Sequence, residues 1–293
     1  MQPDVWFYNI GIRIYNLPRV AFSLFGLEIF WYGIIIVLAV CTGYFIAMKE
    51  ARNTGQNPQD YSDLLLWVVP ICTVGARLYF IIFTPGMGLG DFFNFRGGGL
   101  AIYGVVLVAV PTAIIFAKIR KLNVWQLTDT AVLGLIGGQI IGRWGNFINR
   151  EAYGTFTEGM LAMRYRVDQL SHLPQELTPY IMTFDGVEYI QVHPTFLYES
   201  LYNFILLSGL YLYRKHKSFN GELLMIYFIW YGTGRAFLET LRTDSLMIGN
   251  FRTSIITSVI LAAIGIIGMI YGRMGYFGAL ENTENPKRKN KNR

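Results

Sequence analysis

The sequence predicts an all-α integral membrane protein with seven transmembrane helices, an N-terminus outside, a cytoplasmic C-terminus and a small extracytoplasmic cap. Three observations predict this fold class. Only 15% of the 293 residues are charged, against about 25% in a typical soluble domain. Hydrophobic residues make up 53%, and the mean hydropathy is +0.36. The chain also contains seven apolar stretches whose connections differ strongly in their Lys and Arg content. This composition excludes a soluble globular fold and a disordered chain.

Each predicted span holds roughly 20 mostly apolar residues, the length that a helix needs to cross the hydrocarbon core. The spans are 27–48, 64–83, 99–118, 130–148, 194–213, 223–241 and 254–272. The first 26 residues contain no continuous apolar region typical of a cleavable signal peptide. We therefore expect the first span to remain in the mature protein.

The positive-inside rule orients the spans. Fourteen Lys and Arg lie in the C-terminal tail and the connections on its side, against eight on the N-terminal side. The richer side is cytoplasmic, so residues 1–280 are predicted to form one membrane domain and 281–293 a basic cytoplasmic tail. The long connection 150–193 falls on the outer side and contains a β-like run, Val187–Val192, which indicates a small cap.

Few side chains are available for a metal site or for disulfides. The two cysteines, Cys41 and Cys72, both lie inside apolar runs, and the chain has only three histidines. The net charge of +6 reflects mainly the basic tail, which carries five basic residues from Lys287 onward. We therefore expect no metal site built on these residues and no nucleic-acid partner.

Ionisable residues at membrane depth cost about 2.5–3.5 kcal/mol each and so mark candidate functional sites. The strongest such stretch is 142–154, Gly-Arg-Trp-Gly-Asn-Phe-Ile-Asn-Arg-Glu-Ala-Tyr-Gly. On a continuous helix Arg143, Asn146 and Arg150 would share one face, with Glu151 beside Arg150. A single arginine would be explained by snorkelling to the interface. The clustering of several polar side chains favours a binding site instead.

A second stretch, 231–242, places Arg235 and Glu239 four residues apart on one helix, where they can pair, and adds Arg242 one turn later. The alternative reading is an ion pair that only lowers the cost of insertion. Two guanidinium groups on different helices near the outer leaflet suit one phosphate, because arginine donates to phosphate oxygens in a planar, bidentate manner. The sequence therefore predicts a cavity for a phospholipid headgroup.

A third stretch, 191–200, begins a helix at Pro194, with His193 just before it. A helix N-terminus favours anions, although His193 is equally explained as a cap or an interface residue. Glu199 lies one turn inside the span and needs a partner. Arg77, in the second span, is expected to pair with an acidic residue of a neighbouring helix.

Together these segments resemble the prolipoprotein diacylglyceryl transferase family. Residues 142–154 match the family signature, Gly-Arg-x-Gly/Ala-Asn-Phe-x-Asn-x-Glu-x-x-Gly, at every fixed position. The segments Trp31–Gly33, Gly97–Gly104, His193–Glu199 and Tyr231–Arg242 follow in the family's order. The resemblance covers essentially the whole chain except the basic tail.

The resemblance implies an activity in the bacterial cytoplasmic membrane, with the active site toward the outer leaflet. Members of the family transfer the diacylglyceryl group of phosphatidylglycerol to the thiol of the lipobox cysteine in a prolipoprotein. The products are a thioether and glycerol phosphate, and the reaction needs no metal or organic cofactor. Phosphatidylglycerol, prolipoprotein signal peptides and the membrane are the implied partners.

The resemblance also assigns roles to residues of this sequence. Arg143 and Arg235 would hold the phosphate and stabilise the leaving group, while Glu151 and Glu239 would fix the arginines by pairing. Tyr32 and His193 would line the cavity. The implied substrate-binding set is Tyr32, Asn146, Asn149, Glu151, Gly154, His193, Glu239 and Arg242.

Tyr103 stands where some members of the family carry a histidine that is a candidate base. Tyrosine has an ordinary pKa near 10 and is a weak base at neutral pH. We therefore expect Tyr103, the third residue assigned to catalysis, to orient substrate by hydrogen bonding. Thiol activation would come mainly from the field of the arginines.

The sequence excludes two other classes of membrane protein and leaves one open. The last span contains no lysine, which excludes a retinal Schiff base there, and the chain has no Gly-x-Ser motif for an intramembrane serine protease. A transporter or channel for an anionic solute remains the alternative, because arginine pairs in membranes also mark ion paths.

Overall fold

Long helices dominate the fold. A computed structural model describes residues 2–94, 99–243, 247–248 and 251–277. Its α-helices are α1 (Trp31–Asn53), α2 (Pro58–Phe83), α3 (Ile102–Ile119), α4 (Val124–Asn149), α5 (Thr195–Tyr213), α6 (Glu222–Thr240) and α7 (Thr253–Arg273). Each predicted span lies largely within one of them. Four, α1, α2, α3 and α7, are long and apolar enough to cross a membrane. The fold is therefore that of a helical membrane protein.

Local sequence signals fix several helix ends. The Asn57 side chain accepts a hydrogen bond from the backbone N–H of Gln59 at 3.1 Å and caps α2, with Pro58 at its first position. The Asn123 side chain accepts from the backbone N–H groups of Trp125 and Gln126 in the first turn of α4. The start of the first span, predicted at Leu27, is wrong by four residues. Residues 27–30 form a strand, and α1 begins at Trp31.

Short strands surround the helix ends. They are β1 (Val5–Phe7), β2 (Ile12–Ile14), β3 (Val20–Leu24), β4 (Leu27–Phe30), β5 (Met163–Arg166), β6 (Ile181–Phe184), β7 (Val187–Val192), β8 (Met247–Ile248) and β9 (Phe251–Arg252). Five of them form an antiparallel sheet in the order β2-β1-β5-β7-β6. The β-like run at 187–192 is confirmed as β7. The sheet adds a β component that the description as all-α leaves out.

The chain divides into two compact units, residues 1–39 with 139–293, and residues 40–138. In the first unit the sheet covers an apolar cluster to which both α4 and α5 contribute. Its buried members are Val5, Phe7, Phe147, Tyr153, Met163, Tyr165, Leu177, Ile190, Val192 and Phe196. The Tyr165 hydroxyl also donates to the carbonyl of Phe147 at 3.2 Å. The sheet thereby fixes the C-terminal end of α4 and the N-terminal end of α5.

The second unit packs its helices through glycines. A Cβ on Gly134 would lie 2.4 Å from the carbonyl oxygen of Gly43, and one on Gly104 would lie 2.4 Å from that of Gly75. These contacts bring α1 against α4 and α2 against α3. Of the glycine run that resembles the family, Gly97 and Gly98 lie outside the described residues, as does the basic tail 281–293.

Arg77 of the second unit binds backbone carbonyls. Its guanidinium donates to the carbonyl oxygens of Asp91 at 2.6 Å, Asn94 at 2.7 Å and Gly99 at 3.1 Å. The side chain is buried. A fork of several donors can satisfy many carbonyls at once, so Arg77 organises the connection between α2 and α3.

Candidate active site

One carboxylate of α5 lies among three guanidinium groups in the first unit. Arg143 Nε is 2.7 Å from Glu199 Oε2. Arg235 Nη1 and Arg242 Nη1 are 3.0 and 3.4 Å from Glu199 Oε1. The Glu199 side chain is only 5% exposed. Because a buried carboxylate is stable only when it is paired, Glu199 holds the arginines of α4 and α6 in one place.

A second carboxylate supports Arg235 from within its own helix. Arg235 Nη2 lies 2.7 Å from Glu239 Oε2, and the Glu239 side chain is fully buried. Arg252 donates to the backbone carbonyl of Glu239. The pairing predicted from the spacing of Arg235 and Glu239 is confirmed, and it leaves the guanidinium of Arg235 between two carboxylates.

The signature stretch places its polar side chains at the last turn of α4. Asn146 Nδ2 donates to Glu151 Oε1 at 2.9 Å, so Glu151 supports an asparagine rather than the arginine expected. Asn149 is the last residue of α4 and is partly exposed. The ring of Tyr32 packs on Gly145, where an added Cβ would lie 2.8 Å from the ring. The sequence thus brings Tyr32 against α4, beside Arg143 and Asn146.

Arg150 does not share a face with Arg143 and Asn146, and that expectation is wrong. The helix ends at Asn149, and Arg150 takes a φ of +54°, in the left-handed region. Its guanidinium turns instead to the carbonyl of Leu17 at 2.7 Å and lies 3.9 Å from Asp4. Burial lowers the pKa of Arg150, and the charge of Asp4 opposes that shift. Arg150 ties the end of α4 to the N-terminal segment.

Backbone hydrogen bonds join three segments beside the arginines. The Gly154 N–H donates to the His193 carbonyl and the His193 N–H to the Thr155 carbonyl, both at 3.0 Å. The Thr155 N–H donates to the Leu241 carbonyl at 2.7 Å. A Cβ on Gly154 would lie 2.7 Å from His193 Cβ, so only glycine fits there. Gly154 therefore has a packing reason to be glycine.

His193 sits at the edge of this arrangement. Its Nδ1 is 3.3 Å from the hydroxyl of Tyr198, one turn into α5. Burial lowers the pKa of His193, which favours the neutral imidazole at neutral pH. A neutral ring can accept or donate one hydrogen bond at each nitrogen, as a residue that lines a polar cavity requires.

Tyr103 belongs to the second unit and is described there alone. It is the second residue of α3, and its ring centroid is 6.2 Å from that of Tyr79. Gly104, which follows it, packs directly on Gly75 of α2. The close approach of α2 and α3 at Gly104 therefore fixes the position of Tyr103 in the first turn of α3.

The arrangement in the first unit suits an anion. The side chains of Arg143, Arg235 and Arg242 are 23%, 17% and 11% exposed, so each is largely desolvated but still reachable. Arg143 contacts Glu199 through Nε. Within the described residues, no group of three or more His, Cys, Asp or Glu could hold a metal ion. The chemistry that these residues offer is charge stabilisation of phosphate oxygens.

Sequence reasoning missed the central position of Glu199. It noted that the carboxylate needs a partner but left it out of the candidate site. The available signal was a glutamate one turn inside the helix that follows His193-Pro194, in a chain with arginines in two other predicted spans.

Comparison with known proteins gives a single result. The family model described as prolipoprotein diacylglyceryl transferase matches residues 19–271. A phosphatidylglycerol–prolipoprotein diacylglyceryl transferase of Finegoldia magna is 42% identical over 255 residues, which cover 86% of this chain and 94% of the relative. Proteins of the same name from Listeria welshimeri and Bacillus cytotoxicus are 40% and 42% identical, over 90% and 88% of this chain and 93% of each relative.

The match runs through the helices that carry Arg143, Glu199 and Arg235, and the identity extends over most of the chain. On that evidence this chain belongs to the prolipoprotein diacylglyceryl transferase family.

Proposed function

We propose that this protein transfers the diacylglyceryl group of phosphatidylglycerol to the thiol of the lipobox cysteine of prolipoproteins, the first step of lipoprotein maturation. The relatives carry the name of this activity. The observation that carries the proposal is the joining of Arg143 of α4 and Arg235 of α6 through Glu199, at 2.7 and 3.0 Å. Two guanidinium groups held together in this way are suited to bind one phosphate, which supports the proposal.

The transfer is a substitution at carbon. The thiol loses its proton, and the thiolate sulfur attacks the glyceryl carbon that bears the phosphate. A carbon–sulfur bond forms while the carbon–oxygen bond to phosphate breaks, and the electron pair leaves with that oxygen. Glycerol phosphate departs as a monoester with one more negative charge than the diester had, and the thiol proton passes to water or to that monoester.

Arg143 and Arg235 stabilise the charge that develops on the leaving phosphate. Preorganised donors of this kind contribute about 100- to 1000-fold in rate each. Glu199 and Glu239 already hold the arginines in place, so the arginines need not reorganise during the reaction. The same positive field favours the thiolate over the thiol.

The remaining candidate residues orient the two substrates. Tyr32, beside Gly145, and Asn146 with Asn149 at the end of α4 contact the headgroup, while His193 lines the cavity. Glu151 positions Asn146. Arg242 adds a third guanidinium beside Glu199, and Gly154 allows the segment of His193 to approach closely. Tyr103 orients substrate by hydrogen bonding and is not the base.

We further propose that all seven helices cross the bacterial cytoplasmic membrane, with the N-terminus outside and the C-terminus inside. The division of Lys and Arg supports this orientation. The five-stranded sheet lies at the ends of α4 and α5 that carry the site, which favours an active site toward the outer leaflet. Residues 1–280 form the transferase domain, and 281–293 a cytoplasmic tail. The orientation is tested by fusing to Arg293 a reporter protein that is active only in the cytoplasm.

The direct test uses purified protein, phosphatidylglycerol and a lipobox peptide in detergent. The proposal expects a peptide product heavier by one diacylglyceryl group and one molecule of glycerol phosphate per product. A peptide with serine in place of the lipobox cysteine is the matched control and yields none. Absence of the thioether product, with anion flux in proteoliposomes instead, would favour the transporter.

A further inference from the structure

Glu199 poses a problem for a site that binds phosphate. A negative charge at the centre of three arginines weakens the attraction for any anionic ligand, yet the carboxylate is buried at their common contact. A glutamine at this position would avoid that loss and keep hydrogen bonds to the arginines, but it would leave largely buried guanidinium groups without an ion pair. The charge of Glu199 therefore affects the affinity for anions as well as the stability of the site.

Among the described residues, three arginines lie within 4 Å of the Glu199 carboxylate. Arg143 reaches it from α4, Arg235 from α6, and Arg242 from the segment after α6. Glu239 stands behind Arg235, and Arg252 binds the Glu239 backbone. Whatever the total charge, replacing Glu199 by a neutral residue makes this site more positive by one unit.

Substrate and product of the proposed reaction differ in charge. The lipid phosphate is a diester with one negative charge at any pH above about 3, whereas a phosphate monoester carries about 1.5 to 2 negative charges at neutral pH because its second pKa is near 6. A unit of positive charge added near the phosphate therefore strengthens the binding of both ligands. The gain in electrostatic binding energy for the dianionic monoester is about twice the gain for the diester.

We propose that Glu199 is a specificity-determining residue that keeps the site selective for a phosphodiester over a phosphate monoester and so promotes release of the product. The inference rests on the proposed function, since it takes glycerol phosphate as the leaving product. Glu199 acts through the arginines and through its own charge, without touching the reacting atoms.

The test compares two constants in the same enzyme, KM for phosphatidylglycerol and the inhibition constant of glycerol phosphate. The ratio of interest is the inhibition constant divided by KM. In Glu199→Gln this ratio falls about tenfold at about pH 7.5, which is the order of magnitude expected for unit charges several ångströms apart in a partly buried site. At about pH 5 the product is a monoanion like the substrate, and the ratio stays within about twofold of that of the wild type. A change in arginine positions alone would shift both constants at both pH values.

Two variants serve as controls. Glu199→Asp keeps the charge and shortens the side chain, so its ratio should equal that of the wild type at both pH values. Glu188→Gln makes the same charge change on an exposed residue of β7 and should leave the ratio unchanged. If Glu199→Gln fails to turn over, its binding of glycerol phosphate and of a short-chain phosphatidylglycerol is measured by the ligand-induced rise in Tm, with the same ratio expected.

An unchanged ratio in Glu199→Gln at about pH 7.5, or an equal fall in Glu199→Asp, would overturn the inference while leaving the transferase activity of the wild type intact. A wild type that makes no thioether product would instead overturn the proposed function. The two failures are therefore distinguishable.

Discussion

Replacing Gly154 by alanine tests the packing that holds the active-site segments together. The new Cβ would lie 2.7 Å from His193 Cβ, 2.8 Å from the carbonyl oxygen of Leu241 and 3.2 Å from Thr195 Cγ2. Ordinary contacts between carbon atoms begin at 3.4 Å, so His193 must retreat by about 0.7 Å. His193 Cβ is attached to backbone that is already hydrogen-bonded, and the Leu241 carbonyl is itself a hydrogen-bond acceptor. Neither atom moves when a side chain changes its rotamer, so the overlap remains.

The expected cost follows from overpacking of buried sites, which is about 1–3 kcal/mol. A loss of about 2 kcal/mol lowers Tm by roughly 4–8 °C in a protein of this size class. Transfer should slow by about 10- to 100-fold, because misplacing groups by a large fraction of an ångström costs about that much. Thermal unfolding in detergent and the rate of diacylglyceryl transfer are the two measurements.

Gly142→Ala is the matched control within the same signature stretch. A Cβ at Gly142 meets nothing within 4 Å, so its Tm and transfer rate should stay at those of the wild type. Equal behaviour of the two variants would refute the packing argument. If both were impaired, the result would point to a direct role for the glycines, and if both were intact, it would show that the site tolerates a Cβ at Gly154.

Three further predictions address the charged and aromatic residues. Glu239→Gln leaves the buried side of Arg235 without its ion pair and should cost about 3–5 kcal/mol, measured as a fall in Tm, whereas an unchanged Tm would contradict the pairing. Tyr103→Phe should weaken transfer without abolishing it, and loss of all chemistry with lipid binding intact would show that Tyr103 is the base. Burial lowers the pKa of His193 below its value in the unfolded chain, so the unfolded state gains a proton first as the pH falls below about 6.5, and stability decreases there. His193→Gln should therefore lose less Tm than the wild type between about pH 7.5 and pH 5, and an identical loss would exclude His193 as the cause.

The helices were predictable because their signals are local. Seven apolar stretches of helical length locate the ends of α1 to α7 to within six residues, and the i, i+4 spacing of Arg235 and Glu239 gives their pair directly. The strands of the N-terminal segment were not predictable, since β1 pairs with β5 about 160 residues later and neither strand is long enough to show a period. The prediction that Leu27–Phe30 belong to the first helix was wrong for a related reason. An apolar strand that leads directly into an apolar helix has the same composition as the first turn of that helix.

The site was predictable as a set of residue types but not as a geometry. Arg150 was expected on the face of Arg143 because the spacing holds on a continuous helix, and the left-handed turn at Arg150 breaks that helix one residue earlier. Glu199 was identified as a buried carboxylate in need of a partner, yet its three partners come from α4, α6 and the segment after α6. Contacts between segments so far apart in sequence follow from packing alone.

The central claim is that Arg143 stabilises the departing phosphate. The most direct measurement is the rate of diacylglyceryl transfer by Arg143→Ala with phosphatidylglycerol and lipobox peptide both saturating, beside Arg52→Ala at an exposed position of α1. The account predicts a loss of about 100- to 1000-fold for Arg143→Ala and a wild-type rate for Arg52→Ala. A wild-type rate for Arg143→Ala would contradict it.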